Sequence, residues 1–351
     1  PRAVATSRGI AGTSTAADGV EQHDVIVVGG GPAGSSCAWR LVRHGVDVLV
    51  LDKEAFPRTK LCAGWITPDV VRDLELDPAT YPHRFLTFGA LRFHVGRFGF
   101  SLPSPQHSIR RFEFDAWLLK RSGAPVERHR VRDIRRDGDG FVIDERYRCR
   151  RLVGAGGTGC PVYRSLFRDG DGRAAELQVA TLEQEFRFDY EEQACHLWFF
   201  SRGLPGYSWY VPKADGYLNV GIGATSAGLS ERGKSIQDFW REFIGTLDAR
   251  GYVRNHDFKA KGHSYFLRRV PRQAQRVQLD NAFIIGDSAG LASRDMGEGI
   301  GPAVTSGLRV ADAIARSKPY EIRSIPRYSL PGMFRGVRLP RSAPARSKPA
   351  L

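Results

Sequence analysis

Long apolar runs are missing from this chain of 351 residues. No stretch approaches the ~20 residues a helix needs to cross a bilayer, so a membrane-spanning protein is not expected. Cysteine is sparse and unpaired: Cys37, Cys62, Cys149, Cys160 and Cys195 fall at no metal-ligand spacing. Their odd number and wide separation exclude a disulfide scaffold, leave no metal site to expect, and favour a reducing, cytoplasmic setting. The stretch from Pro1 to Gln22 is rich in Ala, Ser, Thr and Gly but lacks the apolar core of a secretion signal, so a flexible lead-in is expected. Acidic residues are outnumbered, 38 Asp+Glu against 52 Lys+Arg, for a formal charge of +14. The excess gathers between Arg128 and Arg151 and from Arg316 to Arg346. No zinc finger or helix-turn-helix pattern accompanies it, so a solvated basic surface is preferred to specific nucleic-acid reading. Peripheral contact with a membrane surface stays open.

What the chain does have is a compact nucleotide-binding pattern. Val25 to Val28 form a short β-branched run, and Gly29, Gly31 and Gly34 follow at dinucleotide-site spacing. Ser35 to His44 is expected to be a helix stopped by Gly45, and Val46 to Leu51 the next strand. Asp52 then ends that run where a carboxylate can receive a ribose hydroxyl. Strand, turn, helix, strand and acid all occur in order, which is a stronger signal than an isolated glycine motif.

Further along, Phe85 to Phe100 alternates as strands around a glycine turn, and Phe112 to Leu119 is expected to be a helix. Val131 to Ile134 and Phe141 to Ile143 flank a hairpin turn at Asp137 to Gly140. Leu152 and Val153 lead into the glycine-rich Gly154 to Gly159. Candidate strands then follow at Gln178 to Phe188, His196 to Phe200, Tyr207 to Val211 and Tyr217 to Ile222. Ser235 to Leu247 carries a helical apolar face, Ala282 to Ile285 returns to a strand, and Pro302 to Ala315 closes with a helix. A sheet-bearing region is thus inserted into a nucleotide-binding fold.

The order of motifs resembles the geranylgeranyl reductase family, within the flavoprotein group similar to para-hydroxybenzoate hydroxylase. The resemblance spans about Asp24 to Ala315. It rests on Gly29 to Gly34, Lys60-Leu61-Cys62-Ala63-Gly64-Trp65, Arg111 with Phe114-Asp115, and Trp209-Tyr210-Val211-Pro212-Lys213. Gly221-Ile222-Gly223, Gly286 to Gly290 and Gly297 to Gly301 complete it. It implies an α/β, Rossmann-like FAD-binding fold with an inserted antiparallel-sheet substrate region, para-hydroxybenzoate hydroxylase-like. The implied FAD-binding domain is discontinuous, over 23–84, 106–176 and 275–318, with substrate binding in 85–105 and 177–274. Residues 1–22 and the basic 319–351 are flanking segments.

Expected cofactor residues are Gly29, Gly31, Pro32, Ala33, Gly34, Asp52, Lys53, Arg111, Gly156, Gly286, Asp287, Gly297, Gly299 and Ile300. By the resemblance, Asp287 contacts the ribityl or pyrophosphate part of FAD, with Gly286 and Gly290 giving close approach. Arg111 lies near the phosphates, and Gly297 to Gly301 near the flavin ring. Cys62, Trp209, Tyr210 and Lys213 are the candidate catalytic residues: Cys62 as proton donor, Trp209 and Tyr210 as pocket walls, Lys213 as an anion contact. Each has a plainer alternative, namely an inert buried thiol, core aromatics and a solvated lysine. No second nucleotide fingerprint is present, so NAD(P)H or another reductant would act as a transient electron donor. Gly156-Gly157 stands where related hydroxylases often carry Asp-Gly, and Ser293 to Met296 lacks the group's usual proline. The implied activity is reduction of a carbon–carbon double bond in an apolar or isoprenoid-like organic substrate. A flavin monooxygenase or halogenase is the alternative enzyme, and a non-catalytic flavin-binding protein the third reading.

Overall fold

A computed structural model describes residues 19–169, 173–269 and 275–330. Most of the expected N-terminal lead-in (1–18) and of the basic C-terminal segment (331–351) lies outside the described residues. Two eight-stranded sheets carry the fold.

The first sheet grows from β1 (Glu21–Val28), whose last four residues pair in parallel with β2 (Val48–Asp52), Val25 opposite Val48. Around them run β6 (Val126–Arg128), β9 (Tyr147–Gly154), β15 (Gln278–Leu279) and β16 (Ala282–Ile284), in the order β15-β16-β9-β1-β2-β6. The hairpin β7 (Ile134–Asp137) and β8 (Gly140–Ile143) pairs with the first half of β9. The paired halves of these strands, 25–28 of β1 and 48–51 of β2, are apolar and buried on both faces, as a parallel sheet covered by helices requires.

Helix α1 (Pro32–Arg43) follows β1 immediately, with proline in its first turn. The late helix α6 (Ile300–Ala315) lies directly on it. That contact depends on small residues: a Cβ on Gly307 would overlap the carbonyl oxygen of Ala33. The crossing brings the late segments to the first turn of the chain, although roughly 250 residues separate them.

The second sheet runs β14-β10-β13-β12-β11-β4-β5-β3. Its members are β3 (Trp65–Ile66), β4 (Leu86–Val95), β5 (Phe98–Ser108), β10 (Gln178–Arg187), β11 (Cys195–Phe199), β12 (Gly206–Lys213), β13 (Tyr217–Thr225) and β14 (Lys261–Phe266). The expected domain boundary at residue 105 therefore falls inside β5, and the sequence reading missed β3 and β14. One face of this sheet, with Tyr210, Leu218, Val220 and Ile222, packs on helix α5 (Ile236–Ala249) through Phe239, Trp240 and Phe243. The helix starts with a capping box between Ser235 and Asp238. The opposite face looks toward the first domain.

On the α5 side, His196 stacks with His94 and Trp198 and bonds to His94 at 3.0 Å. Burial first, then the nearby His94, lowers its basicity to about pKa 4, with Arg92 also opposing and Glu192 favouring the charge. As pH drops below about 6.5 the unfolded chain gains a proton that the folded protein refuses until about pH 4. Acidification through that window therefore favours unfolding, by at most ~3 kcal/mol from this residue. Thermal melts of His196→Phe between pH 7 and 4 should show a flatter pH slope than the parent protein; an unchanged slope would remove His196 from the account.

Candidate active site

A cavity of about 1030 Å³ lies between the two sheets. Both the early and the late motif segments line it, including Gly29, Asp52, Asp287 and Gly299.

At one end, the β1–α1 turn and the end of β2 form a nucleotide cradle. Gly29 has φ +115°, and a Cβ on Gly34 would overlap the carbonyl oxygen of Gly29, so helix and strand meet as closely as backbone allows. The Gly30 and Glu54 N–H groups donate to the two oxygens of Asp52, at 2.7 and 2.8 Å. Each carboxylate oxygen keeps a further lone pair for a ribose hydroxyl. Helix α1 starts without a side-chain cap and without an acidic residue in its first turn. Its first amides are thus free for a pyrophosphate, and Lys53, Arg58, Lys60, Arg130 and Arg132 line the same cavity with positive charge.

At the other end, the turn Gly286–Ala289 presents Asp287 beside Gly299, the N-cap of α6. This helix start also lacks a side-chain cap at its N-cap residue. Arg173 clamps the site by donating to the carbonyl oxygens of Thr158 and Ser288, at 2.5 and 2.7 Å. Glu298, half-buried with the negative charges of Asp295 and Asp287 nearby, accepts from the Gly301 N–H; desolvation pushes its carboxyl up to about 7. An acid at the ribose position, the uncapped start of α1 and Asp287 beside Gly299 at the far end suit an elongated dinucleotide, so the donor set fits FAD.

Between the ends, Cys62 and Arg111 line the cavity. Arg111 is a buried residue, its guanidinium held by Asp115 through bonds of 2.6 and 2.8 Å. Above them stands a face of the second sheet built from alternate strand residues. Asn219 is its hub: it accepts from Trp209 Nε1 at 2.7 Å and donates to Glu183 at 3.1 Å and to the Cys62 carbonyl at 3.4 Å. Glu183 is buried, which raises its carboxyl to about 7, and its Oε1 lies 3.3 Å from His263 Nδ1. The stronger contact of that nitrogen is Thr181 Oγ1, at 2.7 Å. His263 and Tyr265 line the cavity. Burial holds the imidazole neutral, with its pKa lowered to about 3.

The expected cofactor residues Gly29, Gly31, Pro32, Ala33, Asp52, Lys53, Arg111, Gly156, Asp287, Gly297, Gly299 and Ile300 all line the cavity. Gly34 and Gly286 do not. Gly286 is packed between Ala33 and Ala303, where it lets α1 and α6 close, and Gly290 packs on Phe266 instead of approaching a ligand.

The candidate catalytic group is split. Cys62 faces the cavity, and Trp209 belongs to the apolar layer with Met296 beside it. Tyr210 is a correction: strand alternation turns it to the other face, where it lies in the α5 core. Lys213 is a correction of another kind, neither solvated nor lining the cavity. Its ammonium is buried, donating to the Ile109 carbonyl at 2.7 Å and pairing with Glu185 at 3.0 Å. It lies beneath Gly64, where a Cβ would overlap its Nζ, so it supports the base of the Cys62 loop. Glu183, Asn219, His263 and Arg173 escaped the sequence reading because their partners lie on distant strands and turns.

Residues 24–112 match the FAD dependent oxidoreductase family, DAO. The chain is 28% identical to digeranylgeranylglycerophospholipid reductase 2 of Methanopyrus kandleri, over 62% of this chain and 58% of that protein. It is 27% identical to menaquinone reductase of Mycobacterium tuberculosis, over 84% of this chain and 77% of that one. A solved geranylgeranyl bacteriochlorophyll reductase-like protein of Thermoplasma acidophilum has the same fold, with a TM-score of 0.72 at 20% identity over 85% of this chain and 79% of that one. Fold, crevice and similarity together define an FAD-dependent oxidoreductase with a para-hydroxybenzoate hydroxylase-like fold. Within that class the chain is similar in sequence to digeranylgeranylglycerophospholipid reductases and menaquinone reductase, and in fold to the geranylgeranyl bacteriochlorophyll reductase-like protein.

Proposed function

We propose that the protein reduces a carbon–carbon double bond in an apolar, isoprenoid-like substrate. The observation that carries this reading is the layer beside the Cys62 end of the cavity. There Phe88, Leu91, Phe93, Leu197, Trp209, Val211 and Met296 form one buried apolar cluster. The layer packs against Ala63 beside Cys62 and backs that end of the cavity with apolar, water-excluding side chains, a setting that suits a hydrocarbon better than a charged substrate. Bound FAD supplies hydride transfer.

The chain's own task is to place the acceptor and deliver a proton. Cys62 is the proposed donor, from Sγ, which accepts the Gly64 N–H at 3.4 Å and has Arg111 within reach. The Asn219 contacts fix that loop against Trp209. Glu183, whose carboxyl is raised to about 7 beside a neutral His263, stores a proton behind it.

Anaerobically reduced protein should be reoxidised on mixing with prenyl alkenes, and Cys62→Ala should slow that step by ~100-fold with FAD retained. Failure of every prenyl and lipid-like alkene to reoxidise the flavin would contradict the proposal. Substrate-dependent oxygen uptake yielding an oxygenated or halogenated product would replace it with the alternative enzyme reading.

A further inference from the structure

The apolar layer does not end inside the protein. Register across the second sheet places Tyr207, Phe199, Val95 and Phe98 in one row, and Trp209, Leu197, Phe93 and Phe100 in the next. Their rings form a connected path. Tyr207 lies 5.7 Å from Trp209, Phe199 lies 5.1 Å from Tyr207, Phe93 lies 5.9 Å from Phe199, and Phe100 is stacked on Phe93 at 5.3 Å. At the inner end, the Tyr207 hydroxyl donates to the carbonyl of Met296, next to cavity-lining Gly297.

At the outer end the path reaches solvent. Phe98 is 82% exposed, Phe200 65%, Phe100 49% and Val95 41%. These four supply nearly half of the exposed large apolar side chains among the described residues, and they share one end of the sheet. Phe200 has φ +54°, a left-handed conformation uncommon for a bulky residue, and its turn closes back through Gly206. The same two turns carry Arg97 and Arg202, both exposed and without an ion-pair partner among the described residues. Arg92, farther along β4, is by contrast paired with Glu192. Aromatic side chains beside unpaired cations match a surface with anionic headgroups over an apolar interior.

We propose that Val95, Phe98, Phe100 and Phe200, with Arg97 and Arg202, dock the protein on an anionic lipid bilayer. Docking there would set the outer end of this packed aromatic layer against the acyl chains in which an isoprenoid-like substrate dissolves. That consequence rests on the proposed reductase activity; the docking itself does not. The patch fits a bilayer better than a second copy of the chain, because two copies joined there would oppose like charges.

The test is co-sedimentation of the full chain, loaded with FAD, with phosphatidylcholine vesicles and with vesicles also containing phosphatidylglycerol. The protein should bind the anionic vesicles, less well at high salt. Phe98→Ser with Phe200→Ser should lower the bound fraction by ~10-fold, and Arg97→Glu with Arg202→Glu should lower it on anionic vesicles most strongly. Flavin absorbance in each variant reports that the fold is intact. Wild-type protein that binds neither vesicle, or aromatic variants that bind as well as the parent, would overturn the proposal. So would a dimer in light scattering that Phe98→Ser dissociates while vesicle binding stays absent. Vesicle binding without alkene reduction would leave docking standing and remove only the proposed reaction.

Discussion

Gly34→Ala is expected to yield protein that no longer retains FAD. The added methyl group would overlap the carbonyl oxygen of Gly29, and neither partner can move cheaply. Gly29 is itself held at φ +115°, with its own missing Cβ directed at the Ala155 carbonyl. On the far side, α1 is pressed by α6 at Gly307. The helix must therefore tilt from the strand, and its uncapped first amides leave the position where they meet a pyrophosphate. Overpacking of this kind costs ~1–3 kcal/mol, and the lost phosphate contacts add to it. A rise of ~100-fold or more in the dissociation constant for FAD is expected. Gly245→Ala is the matched control. That glycine lies inside α5 with open space where a Cβ would go, so it should leave FAD binding intact and stabilise the protein by ~0.5–1 kcal/mol. Titration of FAD into both variants, with thermal melts, checks the pair. Gly34→Ala protein that holds FAD as tightly as the parent would contradict this account of the turn.

Asn219→Leu should separate cofactor binding from reaction. Asn219 is buried and lies above the Cys62 loop, outside the nucleotide cradle. Leucine removes the acceptor for Trp209 Nε1 and the donors to Glu183 and to the Cys62 carbonyl. Three polar groups then lose a partner in a buried layer, at a stability cost of ~1–3 kcal/mol for each group left unpaired. FAD should be retained, because no cradle residue changes. Reoxidation of the reduced flavin by a prenyl alkene should slow by ~100-fold, since a shift of about 1 Å in an acceptor wall is enough for that loss. The loss should fall on the rate at saturating alkene, with little change in half-saturation, and Asn219→Gln should restore part of it. Stopped-flow absorbance of the flavin provides the measurement. An unchanged rate in Asn219→Leu would show that the network does not position the reacting groups.

These two residues also mark what the sequence discloses. The β1–α1–β2 unit is local: its glycines, helix stop and terminal acid lie within about thirty positions, and each has a backbone reason to be where it is. Asp287 to Gly301 is legible for the same reason, since a turn and a helix start leave glycine signatures. The face above the cavity leaves none. Glu183, Asn219 and His263 stand on three strands and meet only through register, Glu183 opposite Gly221 and Thr181 opposite His263. No spacing rule joins them.

Tyr210 and Lys213 illustrate the opposite error. The run Trp209-Tyr210-Val211-Pro212-Lys213 is contiguous, which invites a single role, but strand alternation sends its members to two faces. Parity alone separates Tyr210 from Trp209. Nothing local foretells that Lys213 is buried, because Glu185 and Ile109 are its partners across the fold. Arg111 was expected near the phosphates, and its burial against Asp115, within reach of Cys62, follows only once α3 (Arg111–Arg121) is packed.

At the centre is one geometric claim: α6 lying on α1 closes a single crevice, so that the first turn of the fold and the Asp287 segment grip opposite parts of one FAD. The direct measurement is the flavin content of purified full-length protein before and after incubation with FAD. Equimolar, tightly held FAD is predicted, released by Gly34→Ala and weakened by Asp287→Ala. Folded protein that neither carries FAD nor takes it up would contradict the claim.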